Sequence, residues 1–149
     1  MAQSLAHILV HIIFSTKNRS ALLQPPDLRS QVHAYLTATS KALGCEPLSV
    51  GGPADHVHIL VALSRKTSVA DLVKNLKISS TKVVRDKGHG CFGWQTGYAA
   101  FSVCQSGKEA VIAYIAKQES HHRSISFQEE VRMFLEKHSI PFDERYLWD

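Results

Sequence analysis

Residues 51–64 read GGPADHVHILVALS, a glycine–proline turn leading into a run of branched aliphatics. Side chains alternate between faces along a strand. Val57, Ile59, Val61 and Leu63 therefore share one face, and His56, His58, Leu60 and Ala62 share the other. The first face suits a core. The second carries two imidazoles whose bases lie roughly 6.5–7 Å apart, close enough for both rings to meet one ion.

Working outward, the segments flanking this strand alternate in period. HILVHIIFSTKNR, residues 7–19, sets Ile8, Val10, Ile12 and Phe14 against His7, Leu9, His11 and Ile13. This pattern predicts a largely buried first strand that ends at Lys17 and Arg19. Residues 22–45 predict a helix: Pro25 and Pro26 stop any earlier element, Asp27 can cap, Leu28, Val32, Leu36 and Leu43 recur at helical spacing, and Gly44 can end it. EPLSVGG, residues 46–52, is a short second strand.

Beyond the histidine strand, residues 67–88 predict a helix capped by Ser68 with Asp71, with Val69, Leu72, Val73, Leu76 and Val83 as its apolar stripe. HGCFGWQTG, residues 89–97, is a glycine-rich loop, and YAAFSVC, residues 98–104, a fourth strand. Ser106 with Glu109 and Ser126 with Glu129 are capping-box pairs that open two further helices, residues 107–122 and 127–138. The order is strand, helix, two strands, helix, strand, helix, helix. It predicts an α+β fold: a ferredoxin-like (RRM-like) split βαβ antiparallel sheet with helices on one face and two additional C-terminal helices. Residues 1–149 read as a single domain.

The 149 residues are 44% hydrophobic and 20% charged, as in a globular protein with a real core. The longest apolar run, AHILVHIIF, is too short to span a bilayer and carries two histidines, so no membrane association is expected. Three scattered cysteines form no CxxC pair, which argues against both a disulfide framework and a cysteine zinc site and for the reducing cytoplasm. The net charge of +4 is mild, so the placement of the basic residues carries more information than their sum.

Two histidines supply only two ligands, and a working site needs at least one more. In the helix of residues 107–122, Val111, Ile112, Ile115 and Ala116 make a buried stripe. Tyr114, Gln118 and His121 follow at i, i+4 and i+7 on a neighbouring face. The Gln118 amide oxygen is a candidate third ligand. Tyr114 is a candidate nucleophile: a phenol is weak at neutral pH because its pKa is about 10, but a cation beside the phosphate it attacks offsets that weakness. Lys74, Lys77, Lys82 and Arg85 decorate the middle helix, and Lys17 and Arg19 end the first strand; together they are candidate contacts to a phosphate backbone. His7 and His11 read as core-edge or substrate-lining groups, and His33, His89, His122 and His138 carry no assigned role.

The HVH of the third strand, followed by a helix containing YIAKQ, resembles the single-tyrosine HUH transposases of bacterial insertion sequences, the 200/605 group. HIIFSTKNR, DHVHILVAL, SVADLVKNLK and FGWQTGYAAFSV are similar to family segments in the same order, and the tail IPFDERYLWD is similar but less diagnostic. Asn18 departs from the aromatic common at its position. The resemblance implies that His56, His58 and Gln118 hold Mg²⁺ or Mn²⁺ and that Tyr114 attacks single-stranded DNA, leaving a 5′-phosphotyrosine link and a free 3′-hydroxyl. It further implies recognition of DNA hairpins at the element's ends, no nucleotide cofactor, and a homodimer whose tyrosine helices complete each other's histidine sites. The metal identity comes from the resemblance, since imidazoles suit zinc and later transition metals better than magnesium.

Two other readings compete. A metal-dependent phosphohydrolase would release its products, although Leu60 stands where a histidine-triad enzyme needs a third histidine. An inactive or domesticated relative would bind single-stranded or hairpin DNA without cutting it.

Overall fold

The computed structural model describes residues 2–122 and 124–149, the side chains of Glu119 and Ser120 excepted. Strands β1 (Leu9–Ser15), β2 (Glu46–Gly51), β3 (His56–Ala62) and β4 (Ala99–Val103) form one antiparallel sheet in the order β2-β3-β1-β4. This is the ferredoxin-like arrangement that the strand and helix order predicts. Helices α1 (Pro26–Ala42) and α2 (Val69–Asp86) cover the face made by Val10, Ile12, Phe14, Val57, Ile59 and Val61, and together they make the main core.

The other face is covered too. Helix α3 (Lys108–Ala116) packs Ile115 on Leu9 and Leu60, while α5 (Phe127–Lys137) lays Phe127, Val131 and Leu135 on Ile13 and Phe101. Every residue of β1 is buried as a result. The additional C-terminal helices thus turn a half-open sheet into a three-layer sandwich and seal the histidine face from water. Among the described residues no helix is long and apolar enough to cross a membrane.

Local chemistry explains the boundaries, with five departures from the sequence reading. Pro25, not Asp27, takes the N-cap of α1, and Asp27 sits in the first turn, where its charge still complements the helix dipole. In α2 the Ser68 cap is present, Ser68 Oγ accepting from the Asp71 N–H at 3.1 Å. Its buried stripe, however, steps by four through Leu72, Leu76, Ser80 and Val84, leaving Val83 half-buried. Ser80 tolerates burial because its hydroxyl donates to the Leu76 carbonyl at 2.6 Å and accepts from the Trp94 indole at 2.9 Å.

Ser106 does not cap α3. It lies in a 3-10 turn, its hydroxyl 3.2 Å from Cys104 Sγ, and Gly107 precedes the helix. The single helix expected over residues 107–122 breaks at Lys117 (φ −102°, ψ 15°), so that α4 (Gln118–His121) is a separate turn. In α3 only Ile115 is fully buried; Val111 and Ile112 are half-buried and Ala116 is exposed. The capping box of α5 forms in full, with Ser126 Oγ and Glu129 Oε2 each bonding the other's backbone.

Candidate active site

The turn before β3 exists because of Gly52. Its φ is +144°, and a Cβ there would stand 2.4 Å from the His56 carbonyl, so only glycine fits. The turn delivers His56 and His58 onto the inner face, both 0% exposed. Opposite them, α5 presents Glu130, and the segment between α4 and α5 presents His122. Three Nε2 atoms converge on Glu130 Oε1: His58 at 2.9 Å, His122 at 3.0 Å and His56 at 3.2 Å.

Only His58 is in hydrogen-bond geometry; the Nε2 atoms of His56 and His122 are buried without a hydrogen-bond partner. One oxygen has two lone pairs and cannot satisfy three donors. The four ligand atoms of His56, His58, His122 and Glu130 lie within 4.8 Å of one another. Orphaned lone-pair nitrogens gathered around a carboxylate are the donor set of a transition-metal site, and the residues fit a divalent cation.

The electrostatics agree. Burial alone would raise the Glu130 carboxyl, but contacts from His122, His56 and His58 outweigh it and hold it well below the usual carboxylate range. Burial would likewise lower His56, yet the hydrogen bond to Asp55 (2.7 Å) and the nearby Glu130 carboxylate raise it. His58 is lowered to about 4, mainly by burial and despite Glu130. His11 is lowered to about 3, by burial and then by His58, whose Nδ1 lies 2.8 Å from His11 Nε2. The cluster thus contains an ionised carboxylate with neutral His58 and His11, and His56 holds a proton more readily than an ordinary imidazole.

Tyr114, half-buried on α3, donates its hydroxyl to Glu130 Oε2 and stands 3.1 Å from His121 Nε2. Its ring lies edge-on to His58 at 5.8 Å. Burial, then the Glu130 bond and charge, raise the phenol above its ordinary value. A cleft of about 560 Å³ between α3 and α5 opens onto it, lined by His11, Val111, Tyr114, Met133 and Phe134 among others. Gln118 is buried; its amide donates to the Tyr114 carbonyl at 3.3 Å, and its Oε1 is buried without a partner. It lines a separate cavity with Gly51, Gly52 and Lys117.

Residues 4–118 match the family model described as transposase, IS200 like. The chain belongs to the IS200-like transposase family. Among solved structures it is similar to a candidate transposase from Deinococcus radiodurans R1, with a TM-score of 0.62 and 21% identity over 79% of this chain and 98% of that one. It is also similar to a REP-associated tyrosine transposase bound to a REP hairpin, with a TM-score of 0.61 and 12% identity over 82% of this chain and 74% of that one. No curated protein sequence matches it. The family is one of DNA-processing enzymes of the tyrosine transposase type, and in this chain the structure brings the strand carrying His56 and His58 together with the helix carrying Tyr114.

The basic residues of this IS200-like chain divide into groups. Lys17, Lys82 and Arg85 line one groove of about 600 Å³ with Trp94, and Arg85 Nε also donates to the Phe92 carbonyl at 3.0 Å. Lys77 lines the same groove, but its ammonium is committed to the carbonyls of Gln95, Thr96 and Gly97 at 2.8, 3.1 and 2.7 Å. It braces a loop, and burial lowers it to about 8. Lys74 is exposed on α2. Arg19 faces a different hollow, beside Asp55 and His122.

Two members of the histidine–carboxylate cluster escape the sequence reading. His122 has no assigned role there, and Glu130 reads only as one acid of FQEE. The legible signal for Glu130 is its place three residues after Phe127 and four before Phe134, which turns it toward the sheet on an otherwise apolar face. His11, read as core-edge, proves to be the hydrogen-bond partner of a histidine in the cluster.

Proposed function

We propose that this chain, acting as a single domain, cleaves and rejoins single-stranded DNA through Tyr114. The observation that carries the reading is one shared carboxylate: Glu130 takes the phenol proton's hydrogen bond on Oε2 and faces the imidazoles of His56, His58 and His122 on Oε1. The phenol oxygen attacks the phosphorus, the bond to the 3′-oxygen breaks, and a 5′-phosphotyrosine remains. The phenol proton passes to Glu130, and the departing oxygen leaves as a hydroxyl with a proton from water. A divalent ion held by His56, His58, His122 and Glu130 would polarise the phosphate and favour the phenolate. Mg²⁺ or Mn²⁺ is the family expectation, and an imidazole-rich set favours Mn²⁺ of the two.

Ligation also needs the right tautomer. Neutral His58 offers Nε2 as a lone pair only when its proton sits on Nδ1, where His11 Nε2 accepts it. Gln118 remains a proposed ligand: its orphaned oxygen is free to turn toward the histidines when the tyrosine helix moves about the break at Lys117. An apolar α3 with a single fully buried residue supports a homodimer in which a second copy covers that helix. The substrate is a strand with hairpin ends, by analogy with the hairpin-bound neighbour. Lys17, Arg19, Lys74, Lys82 and Arg85 supply backbone contacts, with Lys77 acting by shaping the groove. Free thiols and a DNA substrate support a cytoplasmic activity.

Incubation with labelled hairpin oligonucleotides and Mn²⁺ or Mg²⁺, followed by a denaturing gel, tests this. A metal-dependent covalent adduct that vanishes in Tyr114→Phe is expected. Cleavage that persists in that variant would make the chain a phosphohydrolase, and binding without cleavage an inert DNA-binding relative.

A further inference from the structure

Trp148 sits where three separate parts of the chain meet. It packs half-buried against the cluster of Ile13, Phe101, Phe127, Val131 and Leu135. Two guanidinium groups lie over its ring, Arg132 at 5.3 Å and Arg19 at 5.9 Å, both within cation–π reach. The two cations differ in their other partners. Arg132 is held by Glu144 in a two-bond fork of 2.5 and 3.1 Å, and Glu144 also accepts from the Trp148 indole at 3.2 Å. Arg19 has no carboxylate partner among the described residues.

Arg19 is also placed by strained backbone. It and Asn18 have φ of +56° and +58°, the left-handed region that non-glycine residues rarely adopt. Thr16 pins the bend, its carbonyl accepting from the Arg19 N–H at 3.0 Å and its hydroxyl donating to the Ser20 carbonyl at 2.5 Å. The side chain borders a hollow of about 290 Å³ whose other walls include Asp55, His122, the α5 N-cap Ser126 and the first two residues of α5, Phe127 and Gln128. That hollow reaches a member of the histidine cluster from the solvent side. The positive end of the α5 dipole faces it as well, and the Asp55 carboxylate on its wall is engaged with His56.

We propose that Trp148 is a positioning residue, a flat platform that holds Arg19 at the mouth of the histidine centre so that its guanidinium grips one particular backbone phosphate of the bound strand. This rests on the DNA reading above. The tail bearing Trp148 is anchored for the purpose: the Asp149 carbonyl accepts from the Gly97 N–H at 2.8 Å and from Gln95 Nε2 at 3.3 Å. Gln95 in turn exchanges two hydrogen bonds with the backbone of Ser15, the residue paired in register with His56. Platform and centre therefore share one rigid frame.

The test is a phosphate-by-phosphate scan. Single-stranded oligonucleotides carrying one neutral methylphosphonate at each position in turn are titrated against the full chain in a Tyr114→Phe background, which prevents cutting. Neutralising one phosphate is expected to weaken binding several-fold in a way that Arg19→Ala erases, while the penalties at other positions persist. Trp148→Leu is expected to erase the same single penalty and Trp148→Phe to retain it. A mere loss of folding would weaken binding uniformly along the strand.

An unchanged scan in Arg19→Ala overturns the phosphate contact and leaves the DNA reading standing. A penalty lost in Arg19→Ala but kept in Trp148→Leu overturns the platform. A parent chain that binds no strand overturns both the DNA reading and this inference.

Discussion

The Tyr114 hydroxyl donates to Oε2 of Glu130, the carboxylate whose other oxygen faces three imidazoles. Nucleophile and ligand cluster are thereby joined through a single side chain, although the tyrosine stands on α3 and the carboxylate on α5. The arrangement keeps the phenol protonated at rest, since both burial and the neighbouring negative charge oppose the phenolate.

Glu130→Gln separates these roles. The amide keeps the shape but removes the charge, so the phenol is expected to titrate at lower pH than in the parent, as read by ultraviolet phenolate absorbance. Mn²⁺ affinity is expected to fall by roughly 10- to 100-fold in calorimetric titration, and adduct formation to slow by at least about 100-fold as a ligand and proton acceptor are lost together. An unchanged phenol titration would mean that the Tyr114–Glu130 bond does not exist in solution.

His11→Phe addresses the layer behind the ligands. The ring fits the volume but cannot bond to His58 Nδ1, which leaves that imidazole free to choose the wrong tautomer. Weaker Mn²⁺ binding, by roughly tenfold or more, is expected together with near-parental DNA affinity. Equal metal binding in variant and parent would show that His11 only fills space.

The buried imidazoles also set a pH dependence of folding in the presence of a chelator. His58 and His11 are lowered to about 4 and about 3, so below the ordinary value of 6.5 the unfolded chain binds protons that the folded chain refuses. Stability is therefore expected to fall as pH drops from about 6.5 toward 4, by up to about 1.4 kcal/mol per pH unit for each imidazole. His56, raised, adds stability that is full below 6.5 and lost at higher pH, so it does not offset the slope in that window. Thermal unfolding scans between pH 7 and pH 4.5 read this directly, and a flat midpoint would contradict the buried neutral pair.

Much of this is legible in the sequence because it is local. The period-two run of β3 announces which face carries His56 and His58, and the Ser126–Glu129 pair announces where α5 starts. The i, i+4, i+7 spacing puts Tyr114 and His121 together even though the helix breaks between them, because a single kink at Lys117 leaves one turn on either side. What is not legible depends on tertiary placement. His122 follows α4 and Glu130 belongs to α5, and only the folding of both over the second face of the sheet brings them to β3. The basic residues show the same limit. Charge can be counted in a sequence, but which cations are already committed to carbonyl oxygens cannot.

Lys77 makes that last point measurable. Its ammonium donates to three backbone carbonyls and lies 5.2 Å from the centroid of the Phe14 ring. Lys77→Ala leaves those carbonyls without their donor and is expected to cost about 2–3 kcal/mol of stability, read from denaturant melts. The salt dependence of single-strand binding should scarcely change, because no phosphate contact is removed. Lys82→Ala is expected to do the reverse: its melt stays near the parent, while the slope of log affinity against log salt becomes shallower by about 0.7, the value for one single-strand phosphate contact. A shallower slope in Lys77→Ala with an unchanged melt would return that lysine to the DNA surface and take the brace away from the 95–97 loop.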